Sequence, residues 1–172
     1  LAGRLISRPL GGLHSVLAIL GPGGPVAKGL RVTMEIGPKG KKVAAVAPDW
    51  PGLERGAKTE EAAVAHLASY IPRYEAVAQL AGMQDAFSKF RHVEVVERYT
   101  GPGSTDFWGI SFGYSNIDKG LMSVAELNRQ LKLLRACWAF FDKMRSRVSA
   151  KLQKGPRGGG RDRDAIVRHI FA

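Results

Sequence analysis

The chain has 172 residues and a formal net charge of +11, with 45% hydrophobic and 24% charged residues. That composition is typical of a globular protein of one domain or two small ones, and excludes a disordered chain. No apolar run approaches the roughly 18 residues of a spanning helix, and the single Cys137 excludes a disulfide framework and a Cys-only zinc site. An unpaired cysteine is typical of a reducing compartment, so we expect a cytoplasmic protein with no membrane partner.

The positive charge is concentrated near the C-terminus. Residues 129–168 hold 12 Lys or Arg against three acids. A surface of this kind attracts acidic partners, such as RNA or an acidic protein. The same composition is also typical of a GC-rich genome, so both interpretations stay open.

The N-terminal part predicts an extension and then a hairpin. Residues 1–29, in which glycines interrupt a short apolar run, are predicted to be a flexible extension. Apolar and polar residues alternate over 30–36, which predicts a strand with one buried face, and 42–47 returns as its partner. Three lysines lie at the hairpin tip and either bind phosphate or are simply solvated: Lys39, Lys41 and Lys42.

The next stretch predicts a turn and a capped helix. Pro51 and Gly52 cannot continue a strand, because proline lacks the ladder donor and glycine frees the backbone to turn. Thr59 is a candidate N-cap, followed by acids in the first turn, where the helix dipole favours them. Pro72 is predicted to break or kink this helix.

The pattern over residues 92–99 predicts a further strand. Residues 100–122 are predicted to form an aromatic and glycine-rich connector. A connector of this length is usually functional or disordered, and its aromatic residues argue against disorder. Those residues either fold back over a core or line a ligand or partner surface. Phe107 and Trp108 are the candidates for a partner surface.

Residues 123–172 predict a long helix followed by a short one. Ser123 and Glu126 form a capping box that opens a helix reaching about Gln153. Its apolar residues recur at alternating four- and three-residue steps, as in a helical bundle or coiled coil. We predict self-association through four residues of this seam that need cover: Leu131, Leu134, Trp138 and Phe141.

A glycine-rich run over 155–160 separates the two helices. It resembles a phosphate cradle superficially, but Asp162 and Asp164 would repel phosphate, so a hinge is favoured. Three arginines in or after it are candidate contacts to a nucleic-acid backbone, together with the hairpin lysines: Arg157, Arg161 and Arg163. The last helix is short, so we expect the natural domain to continue beyond residue 172.

About residues 30–99 resemble the HicB-like antitoxin domain. The resemblance rests on the hairpin, the turn at residues 48–52, Gly56 and the helix start at residues 59–62. The resemblance implies a truncated double-stranded-RNA-binding fold: a small antiparallel sheet of order β-β-β-α-β with one covering helix. It also implies a small ribonuclease toxin as partner.

The long helix, the loop and the second helix reaching His169 resemble the opening of a DinB/YfiT-like four-helix bundle over about residues 123–172. In that family a histidine near the end of the second helix joins two later histidines around a divalent metal. The resemblance therefore implies His169 as a metal ligand. A complete site would need a bundle that is completed beyond residue 172.

Together these features predict an α+β protein in which a small sheet with one covering helix precedes a partial helical bundle. The leading hypothesis is a binding or regulatory module that recognises RNA or a protein partner through its basic surface. One alternative is a truncated DinB-like, metal-dependent, thiol-using transferase or hydrolase. The second is an antitoxin that neutralises a small ribonuclease toxin.

Overall fold

The computed structural model describes residues 28–152 and 159–171, and the fold is α+β, as the sequence predicts. The strands are β1 (Lys28–Ile36), β2 (Val43–Val46), β3 (Glu54–Ala57) and β4 (Phe90–Thr100). The helices are α1 (Glu60–Leu80), α2 (Gln84–Phe87), α3 (Gly103–Trp108), α4 (Val124–Arg147) and α5 (Arg163–Phe171). Nearly all of the predicted extension, and Arg157, lie outside the described residues.

The four strands form one sheet in the order β3-β2-β1-β4. β1 and β3 pair antiparallel with β2, as the predicted antiparallel sheet requires, whereas β4 lies parallel to β1, so the sheet is mixed and the prediction is wrong for this one pair. The reason is that α1 crosses the sheet and returns the chain to the end where β1 begins. β3 lies between the predicted turn and the Thr59 cap, where the local pattern alone predicted no strand. The β-β-β-α-β order is the one that the HicB-like resemblance implies.

Helix α1 covers one face of the sheet. Thr59 caps it as predicted, since its Oγ1 accepts the Ala62 N–H at 3.2 Å. α1 continues without a break through Pro72, because buried residues on both sides of the proline, among them Leu67 and Val77, hold it against the core. The β1 residues of this core are Leu30, Val32 and Met34.

The turn after β2 is a packing centre. Gly52 takes a positive φ of 87°, and Trp50 is buried beneath the turn. The Trp50 ring makes edge contacts with the rings of Tyr74, Phe87 and Phe90 at centroid distances of 6.1, 4.7 and 5.8 Å. These contacts join the turn to α1, α2 and β4.

Helix α4 packs on α1 and on this same turn. Leu133 and Ala136 are buried in the contact, and the Arg129 guanidinium donates to the Asp49 carbonyl at 2.7 Å. The N-cap is Ser123, as predicted. The helix ends at Arg147 rather than near residue 153, because the backbone becomes extended at the following residue.

Helix α5 lies antiparallel along the C-terminal half of α4. Its first residue, Arg163, donates its backbone N–H to the Ala150 carbonyl at 3.1 Å, and Phe171 stacks on Trp138 with ring centroids 6.0 Å apart. Within the described residues, no helix combines the length and the apolar character that crossing a membrane requires.

Candidate nucleic-acid interface

The connector after β4 covers the second face of the sheet, and a buried carboxylate holds it there. Glu35 on β1 is fully buried on the face opposite Val32 and Met34. Its carboxylate accepts hydrogen bonds from three hydroxyls, of Tyr99, Thr105 and Ser111, and from the backbone N–H groups of Phe112 and Gly113. The connector therefore turns its amides and hydroxyls toward the sheet.

Glu35 is ionised in this setting. Burial alone would raise its pKa, but the hydrogen bonds from Ser111, Thr105 and the two amides outweigh burial and lower the pKa below its ordinary value. Burial raises the pKa of the nearby Tyr99 hydroxyl to about 12, so Tyr99 stays a donor. A charged acceptor with several partners anchors a loop more strongly than neutral bonds do.

A second carboxylate joins the connector to the hairpin tip. Oδ2 of Asp106 in α3 accepts the backbone N–H of Lys39 at 2.7 Å, and Oδ1 accepts those of Lys41 at 2.7 Å and Lys42 at 3.4 Å. The Lys42 ammonium donates to the Phe107 carbonyl. The tip amides, which could otherwise cradle an anion, are thus occupied by the protein's own carboxylate.

Phe107 and Trp108 extend from this anchored backbone into solvent. Their side chains are 68% and 64% exposed, and the two rings meet edge to face with centroids 4.6 Å apart. Of the two alternatives for the connector aromatics, the structure shows an exposed surface here, because the backbone rather than these rings covers the sheet.

Lys39 and Lys41 lie beside these rings. Both lysines line a cleft of about 230 Å³ with Asp106 and Phe107. Neither ammonium forms an ion pair with a described residue, although the charge of Lys41 contributes to the lowered pKa of Asp106. We call Lys39, Lys41, Phe107 and Trp108 the tip platform. Exposed rings next to free cations are the usual elements of a surface on which bases stack and phosphates pair.

Comparison with family models, with curated proteins and with solved structures gave no match to this chain. The HicB-like and DinB-like resemblances therefore stay predictions.

The other predicted partner residues lie on α4. Leu131, Leu134 and Trp138 are 38%, 47% and 43% exposed, whereas Phe141 is half-buried against α5. The predicted seam is thus not the face through which α4 packs on α1, which carries Leu133 and its neighbours. The predicted partner surface falls into two separate places, the connector and the exposed stripe of α4.

The predicted basic residues also fall into two groups. The hairpin lysines lie just before β2, at one end of that strand. Helix α4, which the arginines follow, packs on the turn after β2, at the other end. Arg163 is engaged within the protein, since it donates to the Val148 carbonyl and pairs with Asp164. Arg161 is exposed beside it. The structure does not bring the hairpin lysines and these arginines together.

His169 is exposed on α5. Within the described residues there is no group of three His, Cys, Asp or Glu side chains that could hold a metal ion. The described residues therefore supply no complete metal site, and the assignment of His169 as a metal ligand stays a prediction. Burial raises the pKa of the Cys137 thiol, which lies 3.6 Å from the Pro51 carbonyl, so this thiol stays protonated at neutral pH.

The structure also contains a cationic cluster that the sequence patterns did not indicate. The guanidinium carbon of Arg55 lies 3.5 Å from the centre of the Tyr70 ring, and that of Arg73 lies 5.0 Å from the same point. The His66 ring meets Tyr70 edge-on at 5.3 Å. The spacing of His66, Tyr70 and Arg73 on α1 would have indicated one helix face, but only the β3 pairing brings Arg55 there.

Proposed function

We propose that this protein is a binding module for single-stranded nucleic acid, which it holds at the tip platform. The observation that carries the proposal is the exposure of Phe107 and Trp108, 68% and 64%, on an anchored backbone beside Lys39 and Lys41, which form no ion pair with a described residue. Bases stack on the rings and the two ammonium groups pair with the phosphates on either side.

The anchoring of the platform supports this use. The Asp106 carboxylate fixes the hairpin tip, and the Lys42 ammonium holds the carbonyl of Phe107. The rings are therefore placed before a ligand arrives, which lowers the ordering cost of binding. Each stacked base contributes roughly 1–3 kcal/mol in proteins of this type.

The charge of the chain agrees with the proposal, because a net charge of +11 attracts a polyanion. The β-β-β-α-β order resembles a truncated double-stranded-RNA-binding fold, but that fold recognises duplexes, so this fold-level analogy does not support the single-stranded ligand. We place the activity in the cytoplasm, where Cys137 would stay reduced.

Fluorescence anisotropy with a labelled 12-nucleotide oligouridylate tests the proposal. Trp108→Ala should weaken binding about tenfold, the loss of one stacked base. Tyr114→Ala is the matched control, because Tyr114 is also an exposed aromatic residue of the connector but lies outside the tip platform. Equal affinity of the wild type and both variants would overturn the assignment of the site, and no binding at low salt would overturn the function.

The lysines have their own test. The affinity for a single strand falls with salt at a slope of about 0.7 per phosphate neutralised. Lys39→Gln with Lys41→Gln should lower that slope by about 1.4, whereas Lys132→Gln with Lys143→Gln on α4 should leave it unchanged. A slope that falls equally in both double variants would show that net charge, not the platform, binds the strand.

A second proposal concerns the α4 stripe, where Leu131, Leu134 and Trp138 are exposed at helical spacing. We propose that it pairs with the same stripe of a second copy. Sedimentation velocity should show a dimer that Leu131→Gln with Leu134→Gln dissociates. A wild type that stays monomeric at high concentration would exclude this pairing.

A further inference from the structure

We infer that Arg55, Tyr70 and Arg73 form a second subsite, which binds the phosphodiester backbone of the strand whose bases stack on the tip platform. The inference rests on the proposed function and extends it along the edge of β3. Both guanidinium carbons lie within 5.0 Å of the centre of one tyrosine ring. Two guanidinium groups on one ring concentrate positive charge at this surface, and concentrated positive charge attracts an anion.

The donors of this cluster are available. Arg55 donates to the carbonyl of Glu54, but neither Arg55 nor Arg73 forms an ion pair with a described residue. The neighbouring acid is Glu54, and its carboxylate is engaged by the backbone N–H of Ser111 in the connector. Stacking on Tyr70 leaves the edges of the guanidinium groups free for the paired hydrogen bonds that suit a phosphate.

The cluster suits phosphate rather than a base. The Tyr70 ring already contacts two guanidinium groups and the His66 ring, so it offers little open face for base stacking. The Nδ1–H of His66 is directed to the Gly56 carbonyl at 3.2 Å. The tip platform and the arginine cluster are thus chemically different: one presents rings to bases, the other cations to the backbone.

The two subsites adjoin each other. The residue after Trp108 is Gly109, whose carbonyl packs so closely on Gly56 that a Cβ there would lie 1.8 Å from it. Gly56 follows Arg55 in β3 and accepts the His66 hydrogen bond. The rings belong to the connector on one face of the sheet, and Tyr70 and Arg73 belong to α1 on the other. We therefore expect the strand to pass around the β3 edge and to reach the arginines within the roughly 4–16 nucleotides typical of single-strand sites.

Oligonucleotide length separates the two subsites. We expect Arg55→Gln with Arg73→Gln to leave the affinity for a 4-nucleotide oligouridylate unchanged. The same variant should weaken a 12-nucleotide one about tenfold and lower its salt slope by about 1.4. Arg135→Gln with Arg147→Gln on α4 is the matched control and should change neither. Arg73→Gln alone tests the subsite if the double variant unfolds, since Arg73 makes no hydrogen bond with a described residue.

The outcomes are distinguishable. One outcome is that Trp108→Ala weakens binding of both oligonucleotides while the arginine variants bind both as well as the α4 control does. That outcome would overturn the second subsite and leave the proposed function standing. If the wild type bound neither the 4-nucleotide nor the 12-nucleotide oligouridylate, the proposed function itself would be overturned. An equal loss at both lengths in the folded arginine variants, judged by an unchanged thermal midpoint, would also overturn the second subsite.

Discussion

The carboxylate of Asp106 lies 2.7 Å from the backbone nitrogen of Lys41, across 65 residues of sequence. This bond and its two companions occupy the amides of the hairpin tip and fix helix α3 against it. Lys39 and Lys41 are left exposed beside Phe107 of α3. One acid thus assembles the tip platform from two distant segments.

Replacing Asp106 should loosen the platform. Asp106→Ala leaves three tip amides without their acceptor, so the backbone N–H of Lys41 should exchange with solvent at least tenfold faster. Binding of the 12-nucleotide oligouridylate should weaken with it. Asp85→Ala is the control, since the Asp85 carboxylate makes no hydrogen bond with a described residue. Unchanged exchange in Asp106→Ala would contradict the anchoring role.

Replacing Glu35 should destabilise the whole protein. Glu35→Gln sets an amide NH₂ against groups that are all donors, and we expect a loss of about 2–4 kcal/mol in the free energy of unfolding, measured in urea. Glu75→Gln, at an exposed position of α1, should change it by less than about 0.5 kcal/mol. Equal losses of unfolding free energy in Glu35→Gln and Glu75→Gln would contradict the role of Glu35 as the anchor of the connector.

The pH dependence follows from the same carboxylate. The folded protein lowers the pKa of Glu35 below its ordinary value of 4.5, so the unfolded chain binds the proton more readily. The stabilisation is complete above pH 4.5 and is lost as the pH falls through the folded pKa. Glu35→Gln should therefore flatten the stability curve in that acidic range, and an unchanged curve would contradict the assignment.

The contact of β3 with the connector predicts a difference between two glycines. Gly56→Ala would place a Cβ 1.8 Å from the Gly109 carbonyl, whereas a Cβ at Gly103 meets nothing within 4 Å. Gly56→Ala should cost about 1–3 kcal/mol of stability, and Gly103→Ala should be neutral or slightly stabilising. Thermal unfolding of the two variants measures the difference. Similar midpoints would show that the connector does not pack on β3.

Adjacent leucines report how α4 packs. Leu133 is fully buried and Leu134 is 47% exposed. Leu133→Ala should lower the unfolding free energy by about 2–5 kcal/mol, and Leu134→Ala by less than about 1 kcal/mol. A single unfolding transition that shifts as a whole in Leu133→Ala would show that α4 and the sheet unfold together. A shift in Leu134→Ala alone would contradict the packing.

The sequence predicted the parts of the fold that depend on local chemistry. Thr59 and Ser123 cap the helices where their hydroxyls indicated. The strand 30–36 buries the apolar face that its alternation predicts, but its polar face, with Thr33 and Glu35, is buried too, so the prediction of a single buried face is wrong. The caps and the apolar face rest on neighbouring residues, so a local pattern is enough to find them.

The connector could not be predicted in this way. In the sequence, Glu35 is one of the polar residues of an alternating strand and Asp106 is an acid without a recognisable motif. Their hydrogen bonds to residues about 65–78 positions away nevertheless determine the connector's path. The side of α4 that packs on the core could not be predicted for a related reason. α4 has apolar residues on two adjacent sides, and the sequence pattern alone does not show which side the core takes.

Site-resolved photocrosslinking tests the central claim most directly. A 12-nucleotide RNA that carries 4-thiouridine would be irradiated on the wild-type protein, and the modified peptides identified by mass spectrometry. We expect crosslinks at Phe107 and Trp108, the rings on which the bases are proposed to stack. Crosslinks confined to α4 and α5, or none at low salt, would contradict the assignment of the tip platform as the nucleic-acid site.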